Sequence, residues 1–304
     1  MTGGKTVNNA KRQIHAWTFV APSLILTLVF GVYPIIWALK YMFYDYQGYG
    51  EPLFIGLNNF GRLFRDTEFW QSVLNTFVYA GGKLLVTIPL SFVLAVILNR
   101  AFAGRQLLRA VYFLPTIVSS SVMAIVFYVV FNSYNGMINQ MLLVSGIISA
   151  PIDWLGPKYA LLTSIIVAIW GAIGNYMLLF LAGLQNIPED LYEAASLDGA
   201  GPVRKMWSIT VPMLGPVLQM IIMLAITVSL KGYESIMVLT EGGPYGKTNV
   251  MYLYLYKLFF PVSSGGASAQ QFGYGSAVGF ATAVIVGVIT LLYFRLSKKL
   301  NEIY

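Results

Sequence analysis

Long stretches without a charged residue alternate with short polar segments along this chain. With His15 counted as polar, the longest stretches are Ala16–Leu39, Ala110–Ile152, Tyr159–Pro188, Met206–Leu230 and Leu258–Phe294. A further apolar stretch, Val73–Asn99, is interrupted only by Lys83. Since a helix needs about 20 residues to cross the hydrocarbon core of a bilayer, each stretch is long enough to span a membrane.

The pattern predicts an all-α polytopic membrane protein, because lipid offers no hydrogen-bond partner to an open backbone. We place six transmembrane helices at about 16–43, 72–99, 108–132, 160–184, 213–240 and 273–294. The longest stretch is divided by polar residues between Asn132 and Gln140, so its second part, through Ser145 and Pro151, is predicted to be an interfacial loop. Prolines are tolerated inside membrane helices. Pro22, Pro34 and Pro89 lie inside the predicted spans, and we expect each of them to kink its helix.

Composition supports this assignment and excludes several classes of protein. Of 304 residues, 57% are hydrophobic and 10% are charged, whereas a soluble domain carries about 25% charged residues. The mean hydropathy is +0.70. These values exclude a soluble enzyme, a disordered chain and a disulfide scaffold. Because the chain has no cysteine, it offers neither a thiolate nucleophile nor a cysteine-ligated metal site.

Basic residues predict the orientation in the membrane, since cytoplasmic loops are enriched in lysine and arginine. Eleven lie on the side of the N-terminus: Lys5, Lys11, Arg12, Arg100, Arg105, Arg109, Arg204, Lys205, Arg295, Lys298 and Lys299. Five lie in the opposite loops: Arg62, Arg65, Lys158, Lys247 and Lys257. Both termini are therefore predicted to be cytoplasmic, with tails at 1–15 and 295–304 around a membrane domain at 16–294. The net charge of +7 is interpreted as loop charge, with no nucleic-acid partner.

The connection between predicted spans four and five, residues 185–212, is unusually long and reads QNIPEDLYEAASLDGAGPVRKMWSITVP. Pro188 suits the start of a helix, and the acidic residues Glu189 and Asp190 complement a positive helix N-terminus. Gly199 or the Gly201–Pro202 pair ends the helix. The loop is therefore predicted to contain a short amphipathic helix with small residues on its surface, lying outside the membrane.

This loop resembles a known family. It is similar to the EAA loop of binding-protein-dependent ABC importer permeases. The matching residues are Glu193-Ala194-Ala195, Gly199 after three intervening residues, Ile209 after nine more, and Val211-Pro212 after one more. Val211 stands where the family usually has leucine. The wider chain is similar to the sugar-importing branch, the maltose-, glycerol-phosphate- and lactose-type permeases. The supporting strings, in chain order, are PSLILTLVFGVYPIIWAL, FIGLNNFGRLF, FWQSVLNTFVYA, RAVYFLP, GMINQML and YESIMVLTEGGP.

The resemblance implies the type I ABC importer permease fold and a place in the bacterial cytoplasmic membrane. It also implies a second homologous permease subunit, a cytoplasmic ATPase dimer and an extracellular solute-binding protein as partners. In such permeases the EAA helix docks into a cleft of the ATPase. The residues that would make or flank this contact are Glu193, Ala194, Ala195, Asp198, Gly199 and Arg204. The competing interpretation is an ordinary surface helix whose Glu193 is solvated.

The chain carries no phosphate-binding motif of its own. Gly246-Lys247-Thr248 resembles the end of a P-loop, but the required first glycine is replaced by Glu241 and no strand-then-helix pattern surrounds the segment. ATP and Mg²⁺ are therefore expected on the partner ATPase, with no cofactor in this chain. The single histidine, His15, has no partner at metal-ligand spacing, and no nucleophile elbow is present. The sequence does not predict an enzyme.

Charged residues inside a membrane span are functional candidates. Lys231 and Glu234 are three residues apart in predicted span five, which places them on one helical face. Two hypotheses remain open: an ion pair that fixes helix packing, or a translocation path shared with Tyr233 and Ser235.

Predicted span four adds candidates for the same path. Trp170, Asn175 and Tyr176 offer the aromatic surface and hydrogen-bonding groups that recognise sugars. The neighbouring Gly171 and Gly174 are assigned to close helix packing, in which small residues let backbones approach.

The leading functional hypothesis is that the chain forms one half of a heteromeric ABC importer pore for a saccharide. Within this class, an oligosaccharide is the expected cargo. The first alternative is a secondary transporter or channel driven by an ion gradient. That alternative would be favoured by inverted repeats with interrupted helices or by several buried carboxylates. Glu234 is the only candidate for such a buried carboxylate in the sequence. The second is an integral-membrane enzyme, for which no catalytic constellation is present in the sequence.

Overall fold

The computed structural model describes residues 17–261 and 269–301, so the predicted tail at 1–15 with His15 lies outside the described residues, as does the end of the predicted tail at 295–304. Two short strands, β1 (Tyr44–Asp45) and β2 (Leu53–Phe54), accompany the helices. The helices are α1 (Trp17–Tyr41), α2 (Asn58–Arg65), α3 (Thr67–Asn99), α4 (Arg105–Ile117), α5 (Ser120–Val130), α6 (Met137–Val144), α7 (Ala160–Gln185), α8 (Glu189–Leu197), α9 (Pro202–Lys205), α10 (Val211–Met213), α11 (Gly215–Lys231), α12 (Glu234–Thr240), α13 (Met251–Phe259) and α14 (Phe272–Asn301).

Helices of membrane-spanning length and composition confirm the predicted spans one, two, four and six. They are Trp17–Tyr41, Thr67–Asn99, Ala160–Gln185 and Phe272–Ser297. In the most apolar part of α1, 0% of the residues are buried by the rest of the chain. Such a surface is unusual for a protein in water and is typical of contact with lipid or another membrane subunit.

Predicted span three is not one straight helix. It is divided into α4 and α5, which meet at an angle of 99°. Pro115 lies inside the last turn of α4, where its missing amide hydrogen removes one helical hydrogen bond, and α4 ends two residues later at Ile117. Ser119 then caps the second helix, because its Oγ accepts a hydrogen bond from the Val122 amide at 3.3 Å. The predicted continuous helix at 108–132 is therefore wrong, and the reason is a local cap that competes with helix continuation.

Predicted span five, at 213–240, is confirmed by an element of membrane-spanning length and composition, but this element is interrupted near its end. It runs from Gly215 to Thr240, but α11 ends at Lys231 and α12 begins at Glu234. Gly232 between them has an extended backbone, with φ −68° and ψ 115°. Lys231 and Glu234 therefore belong to different helices, and the assumption that they share one helical face is wrong.

Two compact units contain these elements. The first contains residues 17–65, 257–261 and 269–281, and the second contains residues 66–256 and 282–301. In the first unit, β1 and β2 form an antiparallel hairpin in which Tyr44 lies opposite Phe54. Asn59 of α2 fixes the start of this hairpin, because its side-chain amide donates to the carbonyl oxygens of Met42 and Tyr44, each at 3.0 Å.

The second unit is built on α3 and α7, which pack side by side. The Ser91 hydroxyl of α3 donates to the Ile173 carbonyl of α7 at 3.0 Å. Their shared apolar core continues into the start of α11. Its buried members are Ala95, Leu98, Tyr176, Met177, Phe180, Leu181, Leu184, Ile187, Leu214, Ile221 and Ala225.

The predicted interfacial loop after span three contains the short helix α6 and is organised by the buried side chain of Asn139. Its amide group donates to the carbonyls of Ser133 at 3.1 Å and Ile152 at 2.9 Å. Its amide oxygen accepts from the Ile152 backbone at 3.1 Å and from the Trp154 indole at 2.9 Å. A single polar residue therefore fixes the loop.

Close packing explains the glycines of α7. A Cβ atom at Gly174 would lie 2.1 Å from the Tyr112 carbonyl oxygen of α4. A Cβ at Gly171 would lie 2.8 Å from the Met123 sulfur. The predicted packing role is confirmed at Gly174, where the neighbouring atom is backbone, whereas Gly171 meets only the flexible end of Met123 and lines a cavity.

We expect Gly174→Ala to lower the free energy of unfolding by about 1–3 kcal/mol, because a backbone carbonyl must move to admit the methyl group. Gly81→Ala is the matched control, since nothing lies within 4 Å of a Cβ at that position of α3. There the free energy of unfolding should be unchanged or rise by up to about 1 kcal/mol. Unfolding of both variants in detergent measures the difference. Equal destabilisation would contradict the close approach of α4 and α7.

Candidate functional site: a cavity at two broken helices

A cavity of about 440 Å³ lies within the second unit, where α3, α4, α5, α7, α11 and α12 meet. Both helix breaks border it: Val118 and Ser120 line it at the first break, and Gly232 and Tyr233 at the second. Helix breaks inside a membrane are tolerated where they line a cavity. In transporters, discontinuous helices form substrate sites near the middle of the membrane.

The cavity gathers most of the residues predicted for the translocation path. Asn175, Tyr176, Lys231, Tyr233, Glu234 and Ser235 all line it. Their hydroxyl, amide and charged groups donate and accept hydrogen bonds, and the tyrosine rings offer flat apolar surfaces. This mixture suits a polyhydroxylated ligand, because the few polar groups of a pocket fix the orientation of what it binds.

Trp170 does not line the cavity, so we leave it out of the path. Its ring packs edge-on against Phe127, with centroids 5.1 Å apart. It precedes Gly171 by one residue, so its side chain leaves the helix about 100° away from the cavity-lining face.

Four further polar residues of the cavity wall were not singled out as path residues in the sequence, one of them being Ser120 at the start of α5. Tyr79 and Lys83 come from α3, and Thr116 comes from α4. Lys83 had a visible signal, because it is the only charge in its apolar stretch. Tyr79 and Thr116 had none, since their position depends on how α3 and α4 pack against α7.

Lys231 and Glu234 do not form the ion pair considered above. In the described part of the chain, residues 17–261 and 269–301, neither side chain makes an ion pair or hydrogen bond. Both are exposed at the cavity wall. The helix break at Gly232 explains this arrangement, because the spacing of a continuous helix no longer applies.

The Gly246-Lys247-Thr248 segment is a turn anchored to α3. The Asn75 side-chain amide donates to the carbonyl oxygens of Gly246 at 3.0 Å and Asn249 at 2.9 Å. The Thr248 hydroxyl donates to the Gly243 carbonyl at 2.6 Å. This threonine is buried and serves the turn, so the segment does not form a phosphate cradle.

The helix predicted in the long loop is α8, Glu189–Leu197. Gly199 follows it in the left-handed region, with φ +74°. The Ala200 amide donates to the Ala195 carbonyl at 2.8 Å, which closes the last turn. Glycine is favoured at such a position because it has no Cβ. The predicted start and end of this helix are confirmed.

Two side-chain contacts hold α8 against the segment that leads into α11. The hydroxyls of Tyr192 and Thr210 lie 2.9 Å apart, and the Lys205 ammonium donates to the Ser196 hydroxyl. Tyr192 also packs on the apolar core shared by α3 and α7. No local sequence signal marks these anchors, since they join residues 9 and 18 positions apart.

The remaining surface of α8, and of the residues that follow it up to Arg204, is open. Glu193, Ala194, Asp198, Gly199 and Arg204 are exposed, and Ala195 is partly exposed. Large apolar side chains lie among them, with Leu197 91% exposed. Large apolar side chains exposed beside small residues are typical of a surface that docks against another protein.

Comparison with known proteins identifies the family. The model of the family described as binding-protein-dependent transport system inner membrane component matches residues 87–302. A probable ABC transporter permease protein of Bacillus subtilis, YesP, is 34% identical over 95% of this chain and 92% of its own length. The lactose transport system permease protein LacF of Rhizobium radiobacter is 33% identical, over 94% and 95%.

An archaeal relative and a solved structure extend the comparison. The trehalose/maltose transport system permease protein MalF of Thermococcus litoralis is 33% identical, over 93% of both chains. A crystal structure of a bacterial ABC transporter that imports the acidic polysaccharide alginate contains a chain with a TM-score of 0.84 and 25% identity. That similarity covers 97% of this chain and 99% of the other.

Removing the Tyr192 hydroxyl tests the anchoring of α8. We expect Tyr192→Phe to cost about 1 kcal/mol of local stability, the usual value of one hydrogen bond, and so to speed hydrogen exchange of the α8 amides about fivefold. Hydrogen exchange followed by mass spectrometry measures the exchange rates of these amides. Tyr245→Phe is the control, because Tyr245 is almost fully exposed. Unchanged exchange in Tyr192→Phe would show that the contact does not hold the helix.

Proposed function

Because the chain belongs to the family of binding-protein-dependent transport system inner membrane components, we propose that it forms one half of the membrane pore of an ATP-driven saccharide importer. Relatives named for lactose and for trehalose and maltose support a saccharide as the cargo. The observation that carries the proposal is the polar, tyrosine-lined cavity at the two helix breaks. The saccharide would pass through this cavity on its way across the membrane.

Recognition in the cavity would use hydroxyl and amide groups in place of water. Asn175 both donates and accepts, and the hydroxyls of Tyr176, Tyr233 and Ser235 do the same. Each sugar hydroxyl that leaves water needs such a partner, because an unpaired polar group is costly to bury. A transport site must also release its cargo, so a few convergent groups serve better than a fully enclosed pocket.

ATP hydrolysis would take place in a partner subunit that docks on α8. This role is supported by the open surface of Glu193, Ala194 and Gly199, small enough for close approach, and by the anchors at Tyr192 and Ser196. A rigidly anchored helix transmits the movement of a docked ATPase to the membrane helices instead of yielding to it. ATP and Mg²⁺ would bind that partner.

The complete importer would contain a second related permease, an ATPase dimer and an extracellular solute-binding protein. The unburied apolar surface of α1 supports contact with lipid or with a second permease. A bacterial alginate transporter of similar fold was solved with an alginate pentasaccharide-bound periplasmic protein, which supports delivery by a binding protein. In this arrangement α8 and both termini face the cytoplasm.

Single cysteines test this orientation, since the chain has none of its own. Ala194→Cys places a thiol on exposed α8, and Ser145→Cys places one in the exposed loop after α6. We expect a membrane-impermeant maleimide to label Ser145→Cys in intact cells and Ala194→Cys only after permeabilisation. The reverse labelling would place α8 outside the cell and rule out its docking on an ATPase.

Charge reversal at Glu193 tests coupling. In vesicles of the complete importer with its binding protein, we expect Glu193→Lys to lower ATP-dependent saccharide uptake about tenfold or more, because reversing a charge at an interface places like charges together. The variant should still insert into the membrane. Glu68→Lys makes the same change at an exposed carboxylate outside α8 and should transport normally.

The same vesicles separate the two energy sources. Uptake by the unmodified importer should require ATP and survive collapse of the proton gradient. Uptake that instead follows the gradient without ATP would support the ion-driven alternative and overturn the proposed function.

A further inference from the structure

The wall of the cavity has an excess of positive charge. Its charged residues are Lys83 of α3, Lys231 at the end of α11 and Glu234 at the start of α12. Two ammonium groups face one carboxylate, so the wall carries a net charge of about +1 at neutral pH. α4, α5 and α7 contribute no charged side chain to it.

Lys83 has no partner within the described residues. It is 6% exposed, yet it makes no hydrogen bond or ion pair with any side chain or backbone group in the part of the chain that the structure describes. An unpaired ammonium group withdrawn fully from water costs several kcal/mol, and Lys83 avoids this because its side chain lines the cavity. Lysines inside membrane proteins therefore face a partner, a cavity or an ion pathway.

Glu234 does not neutralise Lys83, because the two make no contact within 4.0 Å among the described residues. The surrounding groups are hydroxyls and amides, such as Tyr176, Asn175 and Thr116. These groups already suffice to hold a neutral sugar. The unpaired ammonium therefore adds something that a neutral cargo does not need, namely a counter-charge for an anion.

We propose that the saccharide carried through this cavity is acidic, a uronate-type oligosaccharide whose carboxylate pairs with Lys83. This inference rests on the proposed function and adds the chemical class of the cargo. Each uronate residue of such a chain carries one carboxylate, and one carboxylate at a time matches the net charge of the wall, whereas a phosphate group carries nearly twice that charge. Hydrogen bonds from an ammonium group to a carboxylate are about twice as strong as those between neutral groups.

The test uses vesicles of the complete importer with its binding protein outside and ATP inside. The probes are trisaccharides of galacturonate, glucuronate and mannuronate, each paired with its carboxyl-reduced, neutral counterpart. Uptake is measured for the unmodified chain, Lys83→Gln and Lys83→Arg. Lys158→Gln is the control, because this lysine is exposed and lies outside the cavity. All variants share one binding protein, so differences between them report on the permease.

We expect the unmodified importer to take up at least one uronate trisaccharide. Lys83→Gln should lower its kcat/KM about tenfold, the loss expected for one charge-assisted hydrogen bond, whereas the control Lys158→Gln should leave both uptake and ATP hydrolysis without cargo unchanged. Lys83→Arg should retain most of the uptake because it keeps the positive charge. For any neutral counterpart that the importer carries, Lys83→Gln should leave the rate of uptake unchanged.

Other results overturn the inference. ATP-dependent uptake of neutral saccharides alone would reject an acidic cargo and leave the proposed function standing. Equal loss of acidic and neutral uptake in Lys83→Gln, or loss of ATP hydrolysis, would assign Lys83 to packing or assembly. Absence of ATP-dependent uptake for every saccharide would reject the proposed function itself.

Discussion

A helix that breaks inside a bilayer exposes backbone amides and carbonyls, which lipid cannot satisfy. This chain breaks two of its spans, after Ile117 and after Lys231, and both breaks border the same cavity. The intramembrane charges Lys83 and Glu234 are placed there as well. One requirement, that polar groups at membrane depth face protein or water, thus accounts for the position of the cavity, for its lining and for the conformation of the two broken spans.

How much the sequence could predict depended on the range of the interactions involved. The spans follow from hydropathy, because the thickness of the bilayer sets their length. The bounds of α8 follow from local capping, with acidic residues after Pro188 and a left-handed Gly199. Both signals lie within a few residues of the feature they specify.

The helix breaks and the cavity could not be predicted in the same way. The helical spacing of Lys231 and Glu234 was a sound argument for a continuous helix, but Gly232 takes an extended conformation and ends it. Trp170 has the chemistry of a sugar-binding residue but packs on Phe127. Conversely, the buried Asn75 looks like an ordinary polar residue at the start of a span. It holds a turn more than 170 positions away, a contact that only the packing of helices creates.

The same packing connects α8 to the cavity. Tyr192 on α8 and Ile209 after it pack on the apolar core that also contains Leu214, which directly precedes α11, and Ile221 and Ala225 within α11. α11 ends at Lys231 in the cavity wall. Because close-packed cores deform little, they transmit displacement between the elements they join. If an ATPase docks on α8 as proposed, this core would carry its movement to α11, whose end at Lys231 and Gly232 borders the cavity.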